Sequence, residues 1–295
     1  MRSALGLCLL ALSALTGMAL AQDEGEPKGG DEPANEPSPG DVDVDALMKS
    51  MDLGPAAVGE GDYVNEMSYE GHLSQAAQQY KAGTPVTISH TGGPITVRCQ
   101  EQTGLSARLS YTIYGTNGPN MERFGKAIGL SAYGAASGSN VKTRMPAKSA
   151  GITRWEVPLT VNLPPQANVT VVGGAGYVQV DDCQGTVKVS NAKGGVVISG
   201  KHSAVNVTSG GGDVKVHLDA ESTLKGASTI SSKGAIELQL PTTYDGKFSA
   251  KGSQVRVFHT VNGPHSDTLV QGTVGSGTTA SLNLSATGNV DVTAP

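Results

Sequence analysis

From about residue 84 onward the chain alternates apolar and polar residues in short runs separated by Gly, Ser, Asn and Asp. This is the pattern of half-buried β-strands joined by turns. Over residues 167–218 the alternation acquires a period of nine. Ala167, Gly176, Gly185, Gly194, Ser203 and Gly212 are each nine apart. Two residues on stand Val169, Val178, Val187, Val196, Val205 and Val214; four on stand Val171, Val180, Val189, Ile198, Val207 and Val216. Every one of these positions is a β-branched aliphatic. The residues between them are mostly small or polar, among them Tyr177, Gln179, Thr186, Lys188, Gly195, Asn206, Asp213 and Lys215. Side chains alternate across a strand, so the Val and Ile pairs share one face. What is left of each unit (DDCQ, SNAK, SGKH, TSGG) is turn-forming.

The same opening recurs less regularly on both sides. Upstream it appears at Val86/Ile88 and Ile95/Val97; downstream at Ile236/Leu238, Val255/Val257, Leu282/Leu284 and Val290/Val292. Leu105 to Ile113 and Trp155 to Val161 read as longer alternating strands. Between them, residues 115–152 are rich in Gly, Ser and Lys and show no clear strand, which reads as an exposed excursion.

Two all-β architectures accommodate nine-residue units. An antiparallel meander or sandwich pairs each strand with the next through a four-residue turn. A parallel β-solenoid with two strands per coil stacks each strand on the one eighteen residues later, with thirteen residues left for the crossover. In that case Lys188 lies beside Asn206, whereas a three-strand coil sets Lys188 beside Lys215. A core of Val and Ile with three Phe in the whole chain suits two thin, closely spaced walls, and this favours the solenoid over 83–295.

Composition then bounds the setting. Gly is 40 of 295 residues, without the strict period of collagen. The net charge of −5 excludes a dedicated nucleic-acid binder. Met1-Arg2-Ser3, the apolar run Ala4 to Leu15 and the small-residue stretch ending Ala19-Leu20-Ala21 make residues 1–21 a signal peptide cleaved before Gln22. Cys8 lacks the small residue before it that lipidation needs. No later stretch is long and apolar enough to span a membrane. Export through the general secretory route follows, to the periplasm, cell surface or medium.

Residues 22–80 carry 14 acids against Lys28 and Lys49, and residues 81–295 carry 18 bases against 12 acids. The segment 22–82 therefore reads as an acidic tether, with short helices at 44–53 and 72–81. The mature chain keeps Cys99 and Cys183 in a compartment that permits disulfides. Cys99 shares a strand face with Ile95 and Val97, and Cys183 lies in the turn after Val180. A bond between them would close a loop of about 85 residues, worth roughly 4 kcal/mol in the chain-entropy model.

The phrase WEVPLTVNLPPQANVTVVGGAGYVQVDDCQGTVKVSNAKG resembles the bacterial putative-adhesin family, a domain of unknown function whose members run from a VxVP strand into serial G-x-V-x-V units. The later STISSKGAIELQLP is similar to that family's SxSGDIxLxLP phrase, with Ala235 where Asp is common. The resemblance spans roughly 84–293, interrupted by 115–152. It implies an exported β-solenoid with no agreed catalytic residues.

Candidate chemistry is sparse. Asp181-Asp182 is the only adjacent acid pair in the body, and neighbours in a turn diverge, whereas glycoside hydrolysis needs two carboxyls facing one cleft. The six histidines lack metal-ligand spacing and read as surface residues. Ser209-Gly210-Gly211-Gly212-Asp213 has no repeated Asp partners for calcium, Gly173-Gly174-Ala175-Gly176 leads into a strand rather than a helix, and no G-x-S-x-G elbow occurs. No cofactor is implied. The basic insertion, with Arg123, Lys126, Lys142, Arg144 and Lys148, is the candidate contact surface for envelope glycan, anionic lipid, another envelope protein or the chain's own acidic arm. The expected function is a non-enzymatic structural or adhesin-like module, with a polysaccharide-active secreted enzyme as the alternative.

Overall fold

The computed structural model describes residues 66–77, 80, 83–135 and 138–294. The signal peptide expected at 1–21 and the helix expected at 44–53 lie outside the described residues. Within them the chain is all-β: two large sheets of mixed orientation, neither closed into a barrel, and one helix.

In the repeat region, successive strands go to different sheets. Asn168–Gly173 (β9), Thr186–Asn191 (β11) and Ala204–Ser209 (β13) lie side by side in one sheet; Val178–Asp181 (β10), Val196–Gly200 (β12) and Val214–Leu218 (β14) lie in the other. Neighbours within a sheet are parallel and eighteen residues apart: Val169 faces Val187, Val187 faces Val205, Val178 faces Val196 and Val196 faces Val214. Lys188 is the register partner of Asn206, while Lys215 belongs to the opposite sheet. Strands nine residues apart are thus not hairpin partners, and meander pairing is absent from this region. The reason is local: the four-residue links turn the chain from one layer to the other instead of back along the same layer.

The pairing continues to both ends. Upstream, Pro85–His90 (β2) pairs with β9 and Ile95–Cys99 (β3) with β10. Downstream, Gly226–Ser232 (β15) and Ile236–Gln239 (β16) pair with β13 and β14. There the chain order departs from the stacking order. Ala280–Ala286 (β20) and Val290–Thr293 (β21) lie next to β15 and β16, and the earlier Gly246–Lys251 (β17) and Val255–Val257 (β18) lie outside them, all in parallel. Leu269–Val274 (β19) closes that edge antiparallel to β17.

At the other end Gly138–Arg144 (β6) pairs with β2 and is edged by antiparallel Gly129–Ala135 (β5). Leu159–Leu163 (β8) joins β3 to the antiparallel Leu105–Gly115 (β4), which carries Met67–Ala77 (β1) and Ile152–Glu156 (β7).

The repeated aliphatics form the core between the layers. All twelve Val and Ile positions of the nine-residue units are at most 3% exposed, and burying each such side chain contributes about 1.5–3 kcal/mol. Polar residues occupy the ends of β11, β13 and β15 and hold the turns. Asn191 Nδ2, with two protons to give, has the carbonyls of Gly176, Gly194 and Gly195 within reach at 2.9, 3.1 and 3.2 Å; Ser209 Oγ has those of Gly194 and Gly212 at 3.0 and 2.9 Å for its single proton, and Ser232 Oγ donates to Gly212 at 2.7 Å. These turns stack so closely that a side chain does not fit. A Cβ on Gly194, whose φ is +102°, would lie 2.3 Å from the Gly176 carbonyl oxygen. Cys99 and Cys183 form the expected disulfide, with Cα atoms 4.9 Å apart across 84 residues.

Three expectations are corrected. Residues 115–152 are not an excursion without strands. Gly118–Ala127 forms a helix (α1) capped by the Asn117 side chain, which accepts from the Asn120 N–H at 3.0 Å, and buries Met121 and Phe124; Phe124 packs against Trp155 with ring centroids 5.2 Å apart. The chain then enters β5 and β6, and Val141 joins the core. The helix expected at 72–81 is instead strand through Ala77, because pairing with β4 along its whole length satisfies the backbone. Trp155 to Val161 is not one strand. Pro158, which has no N–H to give a ladder, separates β7 from β8.

Gly194→Ala is expected to destabilise by about 1–3 kcal/mol from the backbone conformation alone, before the clash is counted. Gly211→Ala, where the nearest atom is an ordinary 3.4 Å away, is the control. Thermal denaturation of both variants measures the difference, and equal melting temperatures would contradict the stacked-turn account.

Candidate functional site

The five basic residues singled out in the insertion fall on three different elements. Arg123 and Lys126 are on α1, and Lys126 pairs with Glu122 at 2.7 Å. Lys142 and Arg144 point outward from β6, because the intervening position faces Thr143 toward the layer edge and Val141 inward. Together with Leu130 and Ser131 of β5 they line a shallow groove. Arg144 also donates to the Ala127 carbonyl at 3.3 Å. Lys148, in the link before β7, donates to the Thr153 carbonyl at 3.2 Å. The fold therefore unites Lys142 with Arg144 and gives Lys126 and Lys148 local partners.

The adjacent acids part company. Asp181 ends β10 on its outward face and accepts from Ser199 Oγ at 2.7 Å and Gln179 Nε2 at 2.8 Å. Asp182 turns the corner with φ +60°. It borders a second groove, beside the disulfide, with Glu101, Lys201 and Asp219. Lys201 is paired there with Glu221. No cluster of metal-ligating side chains is found among the described residues. Asp213 braces the next turn by accepting from the Ala235 N–H at 2.7 Å.

Two histidines read as surface residues are buried. His90 is 1% exposed and His202 is 2% exposed. His90 Nε2 lies 2.7 Å from the Val157 carbonyl and Nδ1 lies 2.7 Å from Thr143 Oγ1, which suits a neutral ring donating from Nε2. His202 is held by the carbonyls of Cys183 and Ser199. Burial pushes both imidazoles below the ordinary histidine value. Nothing in the sequence pattern marks His202, since its turn becomes interior only through packing against residues 183 and 199.

A cavity of about 580 Å³ has no counterpart in the sequence pattern. It opens between residues 222–225 and 241–245, with Leu224, Lys225, Tyr244 and Asp245 in its lining. Burial, with the Asp245 charge, pushes the Tyr244 phenol up to about 12, and its O–H donates to the Lys247 carbonyl at 2.7 Å. Hydrogen bonds from Ser276 and the Gly277 N–H hold the Asp245 carboxyl below the usual carboxylate range. Both groups are engaged in fastening loops. The cavity forms because the link between β14 and β15 is longer than those before it, a departure from the nine-residue count that is visible in the chain only as a missing repeat.

No family model matches this chain, and no curated protein does. Among solved structures, a putative cell adhesion protein from Clostridium sporogenes is similar at 12% identity and a TM-score of 0.46, over 77% of this chain and 100% of that one. A putative adhesin from Parabacteroides distasonis is similar at 9% identity and 0.36, over 75% and 97%. A putative lipid binding protein from the same species is similar at 12% identity and 0.28, over 76% and 96%. At these scores the likeness assigns no activity.

Acidification is expected to destabilise the protein. The unfolded histidines take up protons near pH 6.5, while His90 and His202 in the fold resist until a lower pH, so their contribution is present above about 6.5 and is lost as the pH falls toward the folded values. Melting temperatures measured from pH 7.5 to 5 should fall, and His90→Gln should flatten that slope. A melting temperature that rises on acidification contradicts this.

Proposed function

We propose that the protein is an exported, non-enzymatic β-solenoid acting as a structural or adhesive module at the cell envelope. The observation that carries this reading is the molecule's exterior, two long faces of repeated parallel strands. One face does set Asp181, Ser199 and His217 side by side in register, but Ser199 Oγ donates to Asp181 at 2.7 Å and His217 Nε2 lies 3.9 Å from Glu237, so the hydroxyl is engaged by a carboxylate and not by an imidazole. The acid pair best placed for such work is committed to local hydrogen bonds through Asp181. The Cys99–Cys183 disulfide suits an oxidising compartment. No helix among the described residues is long and apolar enough to cross a membrane.

The test is a panel of neutral and acidic polysaccharides assayed for both binding and chain cleavage. Binding without turnover is the expected result. Turnover that disappears in Asp181→Asn or Asp182→Asn would replace this reading with that of a polysaccharide-active enzyme.

A further inference from the structure

The two outer faces differ in their charge chemistry. Strands β1, β3, β4, β7, β8, β10, β12, β14, β16, β18 and β21 carry Glu70, Glu156, Asp181, Glu237 and Asp291 beside Arg98, Arg108, Arg154, Lys215 and Arg256. Several of these are paired: Lys215 with Glu237 at 2.9 Å, and Arg154 with Glu156 at 3.0 Å. The ten strands of the other sheet contain no Asp or Glu at all, yet hold Lys142, Arg144, Lys188, Lys247 and Lys251. None of these five bases is in an ion pair among the described residues. Unopposed positive charge on one face is not needed for folding, since it adds only repulsion.

What surrounds those bases is regular. Following the register across the sheet, one outward row runs Asn140, Thr87, Thr170, Lys188, Asn206, Thr229, Asn283 and Ser249. The next row, two residues along each strand, runs Lys142, Ser89, Val172, Ser190, Thr208, Ser231, Ser285 and Lys251. Hydroxyls and amides thus repeat at the strand spacing of about 4.8 Å over seven steps, roughly 34 Å. A lysine lies at each end of the second row and one near the middle of the first. A shallow groove of about 230 Å³ runs between the rows, lined by Thr170, Val172, Lys188, Ser190, Asn206 and Thr208. Tyr133, 57% exposed, is the register partner of Asn140 and ends the first row with an aromatic ring.

We infer that this face is the binding site of a linear acidic polysaccharide lying along the stack, across the strands. Lys188 in the groove, with Lys142 and Lys251 at the two ends of the second row, meets its carboxylates, and the hydroxyl and amide rows exchange hydrogen bonds with its sugar hydroxyls. An acid-free face excludes no neutral polymer by charge but selects the anionic one. This deepens the non-enzymatic reading and rests on it, because the groove offers hydrogen bonds and charge and no group that cleaves.

The test uses the full mature chain and polygalacturonate as the probe, with its fully methyl-esterified form and polyglutamate beside it. Wild type is expected to bind polygalacturonate, and to weaken from about 50 to 500 mM NaCl as the Debye length falls below about 5 Å. The variant K142Q/K188Q/K251Q should lose about tenfold or more in affinity, while R98Q/K215Q/R256Q on the other face changes it less than about twofold. T170V/S190A/T208V keeps every charge and the strand-forming shapes, and should weaken polygalacturonate without weakening polyglutamate. Equal loss from the two triple-charge variants overturns the inference. So does equal binding of the esterified polymer, or an unaltered affinity in T170V/S190A/T208V, which would mark an acidic peptide as the occupant. Circular dichroism confirms that each variant folds. Absent binding with absent cleavage defeats this inference alone, whereas cleavage of the probe defeats the non-enzymatic reading instead.

Discussion

A thin aliphatic core, one Val or Ile deep from each layer, sets the terms for the rest of the structure. Two sheets can close on such small side chains only if they approach everywhere by the same amount, and that demands strands of equal phase stacked in strict register. The eighteen-residue pairing supplies the register, as with Val178, Val196 and Val214 in one layer and Val169, Val187 and Val205 in the other. Stacked turns come with it. Where Gly176, Gly194 and Gly212 succeed one another, backbone meets backbone with no space for a Cβ, and the buried amide and hydroxyls of Asn191, Ser209 and Ser232 take up the carbonyls that the turn leaves over.

The ends of the stack obey a different constraint. Parallel strands at an open end expose unpaired backbone and an uncovered core, a template for unwanted pairing. At one end the chain answers with antiparallel strands and with α1, whose Met121 and Phe124 cover the last rung. At the other, β17 and β18 pass outward first, and β20 and β21 return inside them, so that β19 can close the edge antiparallel. The disulfide joins β3 to the turn after β10, neighbours in the stack although 84 residues apart in the chain. It pins the point where an upstream pair of strands has been threaded next to the regular array.

Freed from the core, the outward positions can vary, and they have done so differently on the two faces. One face mixes acids with its bases and joins Lys215 to Glu237 and Arg154 to Glu156. The other carries hydroxyls, amides and unpaired lysines in rows. Parallel sheets are usually covered on both sides by helices; here both outer sides face solvent, which makes each face a long surface open to contact and leaves few enclosed places for chemistry.

The strands of the nine-residue repeat were legible from residues alone, since a buried face with period two and turns with period nine leave little freedom in local structure. The disulfide was legible too, from two cysteines and the expected export of the chain. The helix has local signals of its own. Asn117, Pro119, Met121, Phe124 and Ile128 carry a cap, a first-turn proline and an apolar stripe, obscured by the glycines and lysines around them. What no local pattern could state is which strand lies beside which. The placement of β6 next to β2, and of β20 between β15 and β17, depends on contacts between residues distant in sequence. His90 and His202 likewise become interior only when other parts of the chain cover them. The acid-free face has the same origin. Its ten strands are dispersed from 85 to 286, and only the register gathers their outward side chains into rows, because alternation fixes a side chain's face along one strand while hydrogen bonding between strands decides its neighbours across the sheet.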